Sequence, residues 1–187
     1  MKFSFSVVAA VPAAFLFLTV PNASAQKYTD PDTLAPAFPT PQVVVDHMLE
    51  MAQVKPNEVV YDLGCGDGRI VITAAQKFRA RGVGIEIRRE IYETTLGKVA
   101  SLGLTDQVKI IHGNALKTDL SPADVVTLYL LTGSNERLKP VLLQYLKPAA
   151  RVVSHDFEIK GWKPVKVEKM MVESRPHMIY LYRLDSR

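Results

Sequence analysis

Val59-Val60-Tyr61-Asp62-Leu63-Gly64-Cys65-Gly66-Asp67-Gly68 is the stretch of this sequence that decides the fold. Its apolar, β-branched start predicts a buried parallel strand, and its three alternate glycines let the chain turn sharply beside a ligand. Residues 69–78 predict a helix whose first backbone N–H groups would face that ligand. Strand, glycine turn and helix together predict the first unit of a nucleotide-type site in a doubly wound α/β fold.

The spacing of the glycines excludes two common phosphate sites. A dinucleotide fingerprint needs a glycine at position 69, where this chain has Arg69. A P-loop needs Lys followed by Ser or Thr after the glycines, and neither pair follows them. The acidic residue in front of the turn, Asp62, suits a cationic ligand better than a pyrophosphate.

Polar residues also end the next two predicted strands. Residues 82–87 form a short apolar strand that carries Glu86 near its end, where a carboxylate can accept hydrogen bonds from both ribose hydroxyls of a nucleoside. The alternative for Glu86 is a solvated charge at a strand end. Residues 108–112 predict a third strand, which runs into Asn114 and Ala115.

The glycine turn resembles motif I of the class I S-adenosylmethionine (SAM) methyltransferases. The resemblance implies SAM as the cofactor and a Rossmann-like seven-strand sheet. It implies cofactor contacts from Asp62, Gly64, Cys65, Gly66, Gly68, Glu86, Asn114 and Ala115. Family members commonly have Asp in place of Asn114, contacting the adenine amino group, and the asparagine side chain can still accept through its carbonyl oxygen. For Cys65 the turn favours a small packing residue over a reactive thiol.

The rest of the chain predicts alternating helices and strands. Thr40 can cap a first helix with Pro41 at its first position, and this helix is expected to cover the cofactor cleft. Helices are predicted near 89–101 and 134–146, with strands at 123–132 and 151–157. The tail predicts two strands joined near Arg175-Pro176, which would close a seven-strand, mostly parallel sheet with an antiparallel hairpin.

The composition suits one globular domain behind two different segments. The chain has 187 residues, 48% hydrophobic and 22% charged, which is typical of a globular protein. Residues 1–25 have a basic start, an apolar run and small residues at 23–25, the pattern of a secretory signal peptide or an N-terminal anchor. Residues 26–39 are rich in proline and predict an extended tether. The domain itself is predicted to span 40–187.

These segments predict export or attachment to the cell envelope, or a cytoplasmic location if residues 1–25 reflect a misassigned start. The formal net charge is +4, and a cationic face can favour an anionic lipid or an acidic protein partner. The sequence shows no basic stripe interleaved with aromatic residues. We therefore expect no nucleic-acid partner, and the sequence predicts no metal site.

Four stretches together resemble a narrower family. They are Phe38-Pro39-Thr40-Pro41, residues 61–70, residues 127–131 and Ser154-His155-Asp156-Phe157. In this order they resemble small bacterial relatives of the seven-strand protein lysine methyltransferases that modify mitochondrial inner-membrane carrier and ATP synthase subunits. The resemblance covers roughly residues 36–160.

Three residues at predicted strand ends are candidates for catalysis, because open α/β sheets bind their ligands there. Tyr129 can offer its ring face to a cation and its hydroxyl to an amine. Asp156 can accept a proton or steer a cationic lysine, with His155 as the alternate base. For each of them, a polar side chain satisfied by neighbouring backbone is the alternative.

The leading hypothesis is therefore a SAM-dependent methyltransferase that acts on a protein lysine by in-line methyl transfer, at a membrane or away from it. A lysine ammonium has no lone pair and must lose a proton before attack. The alternatives are methylation of a small molecule, because a fold does not fix the acceptor, and a SAM-binding module without catalysis.

Overall fold

The computed structural model describes residues 33–35 and 38–184. The predicted leader, residues 1–25, and most of the predicted tether, residues 26–39, lie outside the described residues. Within the described part of the chain, no helix combines the length and the apolar character needed to cross a membrane.

A seven-stranded sheet forms the centre of the domain. Its strands are β1 Val59–Leu63, β2 Arg81–Glu86, β3 Val108–His112, β4 Val125–Leu128, β5 Arg151–His155, β6 Lys166–Val172 and β7 Arg175–Arg183. The strand order is β3-β2-β1-β4-β5-β7-β6. Strands β1 to β5 are parallel, while β7 runs antiparallel to both β5 and β6. The predicted mostly parallel sheet with a C-terminal antiparallel hairpin is confirmed.

Helices cover both faces of the sheet. They are α1 Gln42–Met51, α2 Arg69–Phe78, α3 Arg89–Ser101 and α4 Thr132–Tyr145. Because side chains alternate across a strand, β1 enters two core clusters. Tyr61 and Leu63 pack in the cluster that contains Leu138 of α4, whereas Val60 packs in the cluster that α1 and α2 share. The glycine turn after β1 is thereby fixed at the C-terminal edge of the sheet.

Helix α1 differs from its prediction in two ways. Pro41, not Thr40, occupies the N-cap position, and no side chain caps the helix. The Thr40 hydroxyl instead hydrogen-bonds Nδ1 of the His155 ring, at 3.2 Å. Helix α1 buries Val44 and Met48 against the sheet and α2, so it does not cover the cleft; the segment just before it does.

The closing hairpin turns earlier than predicted. Glu173 and Ser174 form its two-residue turn with φ angles of 48° and 66°, and such tight hairpin turns favour positive φ. No glycine marks this turn, so the proline at 176 misled the prediction. Arg175 and Pro176 consequently belong to β7, where Arg175 pairs with Val172.

Candidate active site

The loop between β1 and α2 needs its glycines. Gly64, Gly66 and Gly68 have φ angles of 83°, 51° and 74°, a region that residues with a Cβ rarely adopt. Gly68 ends the loop as the N-cap of α2, and a Cβ there would lie 2.7 Å from Cγ2 of Thr95 on α3. The sequence thus specifies a tight loop whose backbone lies open to the space above the sheet.

A cavity of about 440 Å³ opens beside this loop, at the C-terminal edge of the sheet. The predicted site residues in its wall are Asp62, Gly64, Cys65, Gly66, Glu86, Ala115 and Tyr129. Gly68 and Asn114 adjoin this wall without lining it. The wall also includes residues 33–35 and 38–40, so the described part of the predicted tether lies against the domain. Ser134 supports this segment by donating a hydrogen bond to the Leu34 carbonyl.

Asp62 presents a buried carboxylate to the cavity. It is 4% exposed, and its Oδ1 accepts a hydrogen bond from the Thr127 hydroxyl at 2.8 Å. Burial raises the pKa of Asp62 to about 7, the nearby charges of Glu86 and Asp67 add to the rise, and the Thr127 hydrogen bond opposes it. A cation in the cavity would stabilise the ionised form, which fits the cationic ligand that the sequence predicted.

Glu86 ties the end of β2 to the glycine loop. One carboxylate oxygen accepts from the Gly66 N–H at 3.0 Å and the other from the Arg88 N–H at 2.9 Å. A carboxylate oxygen has two lone pairs, so both oxygens can still accept from a ligand. The predicted contact with ribose hydroxyls is compatible with this geometry.

Asn114 has its side chain turned away from the expected orientation. Its Oδ1 accepts from the Leu116 N–H at 2.8 Å, capping a short 3-10 turn over Ala115–Lys117. Its Nδ2 is buried and has no hydrogen-bond partner. The oxygen that was expected to meet an adenine amino group is thus already used. The free group of Asn114 is a donor, which suits an acceptor nitrogen of an adenine ring.

Cys65 is a packing residue in the structure. Its side chain is buried and packs directly against Gly84. A side chain at position 84 would collide with it, since a Cβ there would lie 2.6 Å from the Cys65 Sγ. Burial raises the pKa of the Cys65 thiol, and the charges of Asp62 and Glu86 add to the rise. The thiol therefore stays protonated and unreactive, as the sequence indicated.

Tyr129 and Asp156 meet beyond the ends of β4 and β5. The Tyr129 hydroxyl lies 3.5 Å from Oδ2 of Asp156. Asp156 has a φ of 59°, and its Oδ1 accepts from the Met178 N–H at 2.9 Å. The carboxylate is therefore held by the antiparallel strand β7, with Oδ2 turned toward Tyr129.

His155 lies behind the ring of Tyr129. The two ring centroids are 3.9 Å apart. His155 is fully buried, and its Nε2 hydrogen-bonds Nδ1 of His177 at 2.7 Å, while its Nδ1 hydrogen-bonds Thr40. Burial is the main cause that lowers the pKa of His155 to about 4. The neutral imidazole thus supports Tyr129 from behind and lines neither cavity.

A second cavity, of about 380 Å³, adjoins the first. Its wall consists of Phe38, Pro39, Pro41, Tyr129, Val172, Glu173, Arg175 and His177. Phe38, Pro39 and Tyr129 line both cavities, so the two spaces meet at these three side chains. Arg175 and His177, which sequence reasoning missed, come from β7 and carried no motif that would have marked them.

His155, Asp156 and His177 have the spacing of a metal site, with ligand atoms within 4.8 Å of one another. The contacts among them satisfy the cluster without an ion. The two imidazoles bind each other, and the Arg175 guanidinium lies 2.8 Å from Oδ2 of Asp156. The arrangement is therefore a hydrogen-bond network around a carboxylate.

Comparison with known proteins identifies the family. The profile of the ANTKMT methyltransferase domain matches residues 62–166. A protein-lysine N-methyltransferase of Saccharolobus islandicus is 49% identical over 148 residues, which cover 79% of this chain and 92% of that protein. The adenine nucleotide translocase lysine N-methyltransferase of Mus musculus is 29% identical over 123 residues, covering 66% and 53%.

A solved structure shows the same fold with a related ligand. It is described as an RNA methyltransferase from Salinibacter ruber in complex with S-adenosyl-L-homocysteine, is 43% identical and superposes with a TM-score of 0.73. The match covers 79% of this chain and 94% of that one. The chain therefore belongs to the ANTKMT methyltransferase domain family and is a SAM-dependent methyltransferase.

Proposed function

We propose that this methyltransferase transfers a methyl group from SAM to the side-chain amine of a protein lysine. The observation that carries the proposal is the pair formed by the Asp156 carboxylate and the Tyr129 hydroxyl, 3.5 Å apart. Tyr129 lines both cavities, whereas Asp156 lines neither and contacts Tyr129 and Arg175 in their walls. A carboxylate beside an aromatic ring attracts a cationic amine. Two relatives that carry lysine methyltransferase names support the same substrate class.

The first cavity has the groups that SAM requires. Asp62 offers an anion to a cationic ligand, and Glu86 offers two acceptors for ribose hydroxyls. Asn114 adjoins the cavity wall, and its Nδ2 is an unused donor that a small side-chain movement would turn toward an adenine nitrogen. When bound, SAM supplies a methyl group on a sulfonium: an amine lone pair forms the new C–N bond while the C–S bond breaks and its electron pair stays on sulfur. The protein's part is to hold the acceptor in line.

The second cavity prepares the acceptor. The lysine ammonium binds Asp156 and the ring face of Tyr129. Contact of its aliphatic stem with Phe38 and Pro39 partly desolvates the amine, and desolvation lowers the pKa of an amine. Asp156 then accepts the proton that the ammonium must lose. His155, with a pKa near 4, keeps the Tyr129 ring in place. Because its ring is buried and both ring nitrogens are hydrogen-bonded, we do not assign it the role of alternate base.

The test is to follow a labelled methyl group. Membrane and soluble extracts are incubated with labelled SAM and either the wild-type protein or Asp62→Ala as the inactive control. We expect label in protein, recovered after acid hydrolysis as Nε-methyl-lysine and lost on protease treatment. Label that RNase removes would mean that the acceptor is RNA, as the description of the Salinibacter ruber structure says of that protein. Label in metabolites would support the small-molecule alternative. Either result would overturn the proposal.

We extend the proposal to the compartment: the N-terminal segment directs the protein to the cell envelope, where a membrane-bound substrate would be accessible. The basis is the signal-peptide pattern of residues 1–25. Fractionation with mass measurement of the protein tests this. A processed or membrane-bound form supports it, and full-length protein confined to the cytosol contradicts it.

A further inference from the structure

A cation of the protein itself already occupies the carboxylate that the proposed function gives to the acceptor. Arg175, in the wall of the second cavity, places one guanidinium nitrogen 2.8 Å from Oδ2 of Asp156 and 3.4 Å from the Tyr129 hydroxyl. These are the two groups that would bind the acceptor amine. The guanidinium therefore stands where a substrate ammonium has to arrive.

Arg175 covers this carboxylate from the solvent side. The Arg175 side chain is 60% exposed, whereas the Asp156 side chain is 13% exposed. Asp156 is held from behind by the Met178 N–H, so the arginine is the movable member of the pair. Exposed ion pairs of this kind contribute little to stability, and an incoming cation can replace the arginine without unfolding any element.

The displaced guanidinium keeps an acidic neighbour. Glu173 occupies the hairpin turn two residues before Arg175 and lines the same cavity. Movement of Arg175 toward Glu173 would uncover Oδ2 of Asp156 and the Tyr129 hydroxyl together. The second cavity would then present a carboxylate, a phenol and an aromatic face to the entering side chain.

We propose that Arg175 is a specificity-determining residue that competes with the acceptor for Asp156: the lysine enters through the second cavity and exchanges with the arginine. This inference rests on the proposed function. A neutral acceptor gains nothing from Asp156 and leaves the ion pair in place. The exchange of the acceptor for Arg175 at Asp156 therefore selects acceptors that arrive as cations.

The test separates acceptor binding from turnover. Steady-state labelling of extract protein, at graded concentrations, is measured for the wild type, Arg175→Ala, Arg175→Lys and Lys169→Ala. Arg175→Ala should lower the apparent KM by about two- to fivefold, the range that an exposed ion pair supports, with kcat unchanged. Arg175→Lys keeps the cation and should keep the KM. Lys169 is an exposed cation on β6 of the same hairpin, so Lys169→Ala controls for a general change in charge.

Three outcomes overturn the inference while the wild type methylates lysine. They are an unchanged or higher KM for Arg175→Ala, an equal fall for Arg175→Lys, and an equal fall for Lys169→Ala. If the wild type labels no lysine, the proposed function has failed, and the inference fails with it. Calorimetry with S-adenosylhomocysteine checks that each variant still folds, because neither Arg175 nor Lys169 lines the first cavity.

Discussion

Replacing Asp62 with asparagine is expected to stabilise the ligand-free protein and to weaken its binding of SAM. Burial raises the pKa of Asp62 from 3.8 to about 7. Each pKa unit corresponds to about 1.4 kcal/mol, so holding this carboxylate ionised in the folded state costs up to about 4 kcal/mol. Asparagine removes the charge and keeps an oxygen for the Thr127 hydroxyl. The free energy of unfolding should therefore rise by as much as about 4 kcal/mol at slightly alkaline pH.

The pH dependence fixes the sign of this effect. Because the pKa is raised on folding, the folded protein keeps a proton that the unfolded chain has released between pH 3.8 and about 7. Wild-type stability from this group therefore falls as the pH rises through that window and is constant above it. The extra unfolding free energy of Asp62→Asn over the wild type should be small at about pH 4 and should reach its full value above about pH 7.

Urea denaturation of the ligand-free proteins at about pH 5 and about pH 8 measures this difference. Asp124→Asn is the control with the opposite sign. Burial raises the pKa of Asp124, but hydrogen bonds from the Val59 N–H and Lys147 outweigh it and lower the pKa. Loss of the Asp124 charge should therefore lower the free energy of unfolding. Calorimetry should show weaker SAM binding by Asp62→Asn. Equal stability of the wild type and Asp62→Asn at the higher pH, or an advantage that does not change with pH, would refute the reasoning.

Three further predictions concern the site and its loop. Asp156→Ala should keep S-adenosylhomocysteine binding in calorimetry and lose turnover; unchanged turnover would remove Asp156 from the mechanism. Glu86→Ala should raise the S-adenosylhomocysteine Kd at least about tenfold, because a hydrogen bond from a ribose hydroxyl to a charged carboxylate is worth about 1.5–3 kcal/mol; an unchanged Kd would contradict this. Gly68→Ala should lower the unfolding free energy by about 1–2 kcal/mol, given its φ of 74°. Gly97→Ala, in open space on α3, should raise the unfolding free energy by about 0.5–1 kcal/mol. Urea denaturation that shows changes of the same sign for both variants would refute the argument.

The cofactor half of the site was predictable because its signals are local. The glycine turn, Asp62 and Glu86 all lie at strand ends that the apolar pattern marks, and parallel strands bring their C-terminal ends to one edge. Asn114 lies beside the cavity without lining it, and the orientation of its side chain depends on a cap to the Leu116 N–H. Such a bond follows from the turn geometry, which the residue type alone does not specify.

The part of the site that would bind the methyl acceptor was predictable only in part. Tyr129 and Asp156 stood at marked strand ends, whereas Arg175 and His177 reach the site through the antiparallel pairing of β5 with β7. That pairing joins residues far apart in the chain, and the hairpin turn lacks the glycine that would have set its register. The predicted turn at Arg175-Pro176 removed Arg175 from the strand and so from the site.

Charge balance gives the carboxylates of Asp62 and Asp156 complementary tasks. A lysine methyltransferase must bring a sulfonium and an ammonium toward one point, and like charges at short range repel. Asp62 offers an anion on the donor side, and Asp156 offers one on the acceptor side. The sulfonium charge also favours the neutral form of a nearby amine, so an acceptor bound too firmly as an ammonium would resist deprotonation. Competition from Arg175 for Asp156 limits how firmly the ammonium is bound, which is the effect on KM that Arg175→Ala measures.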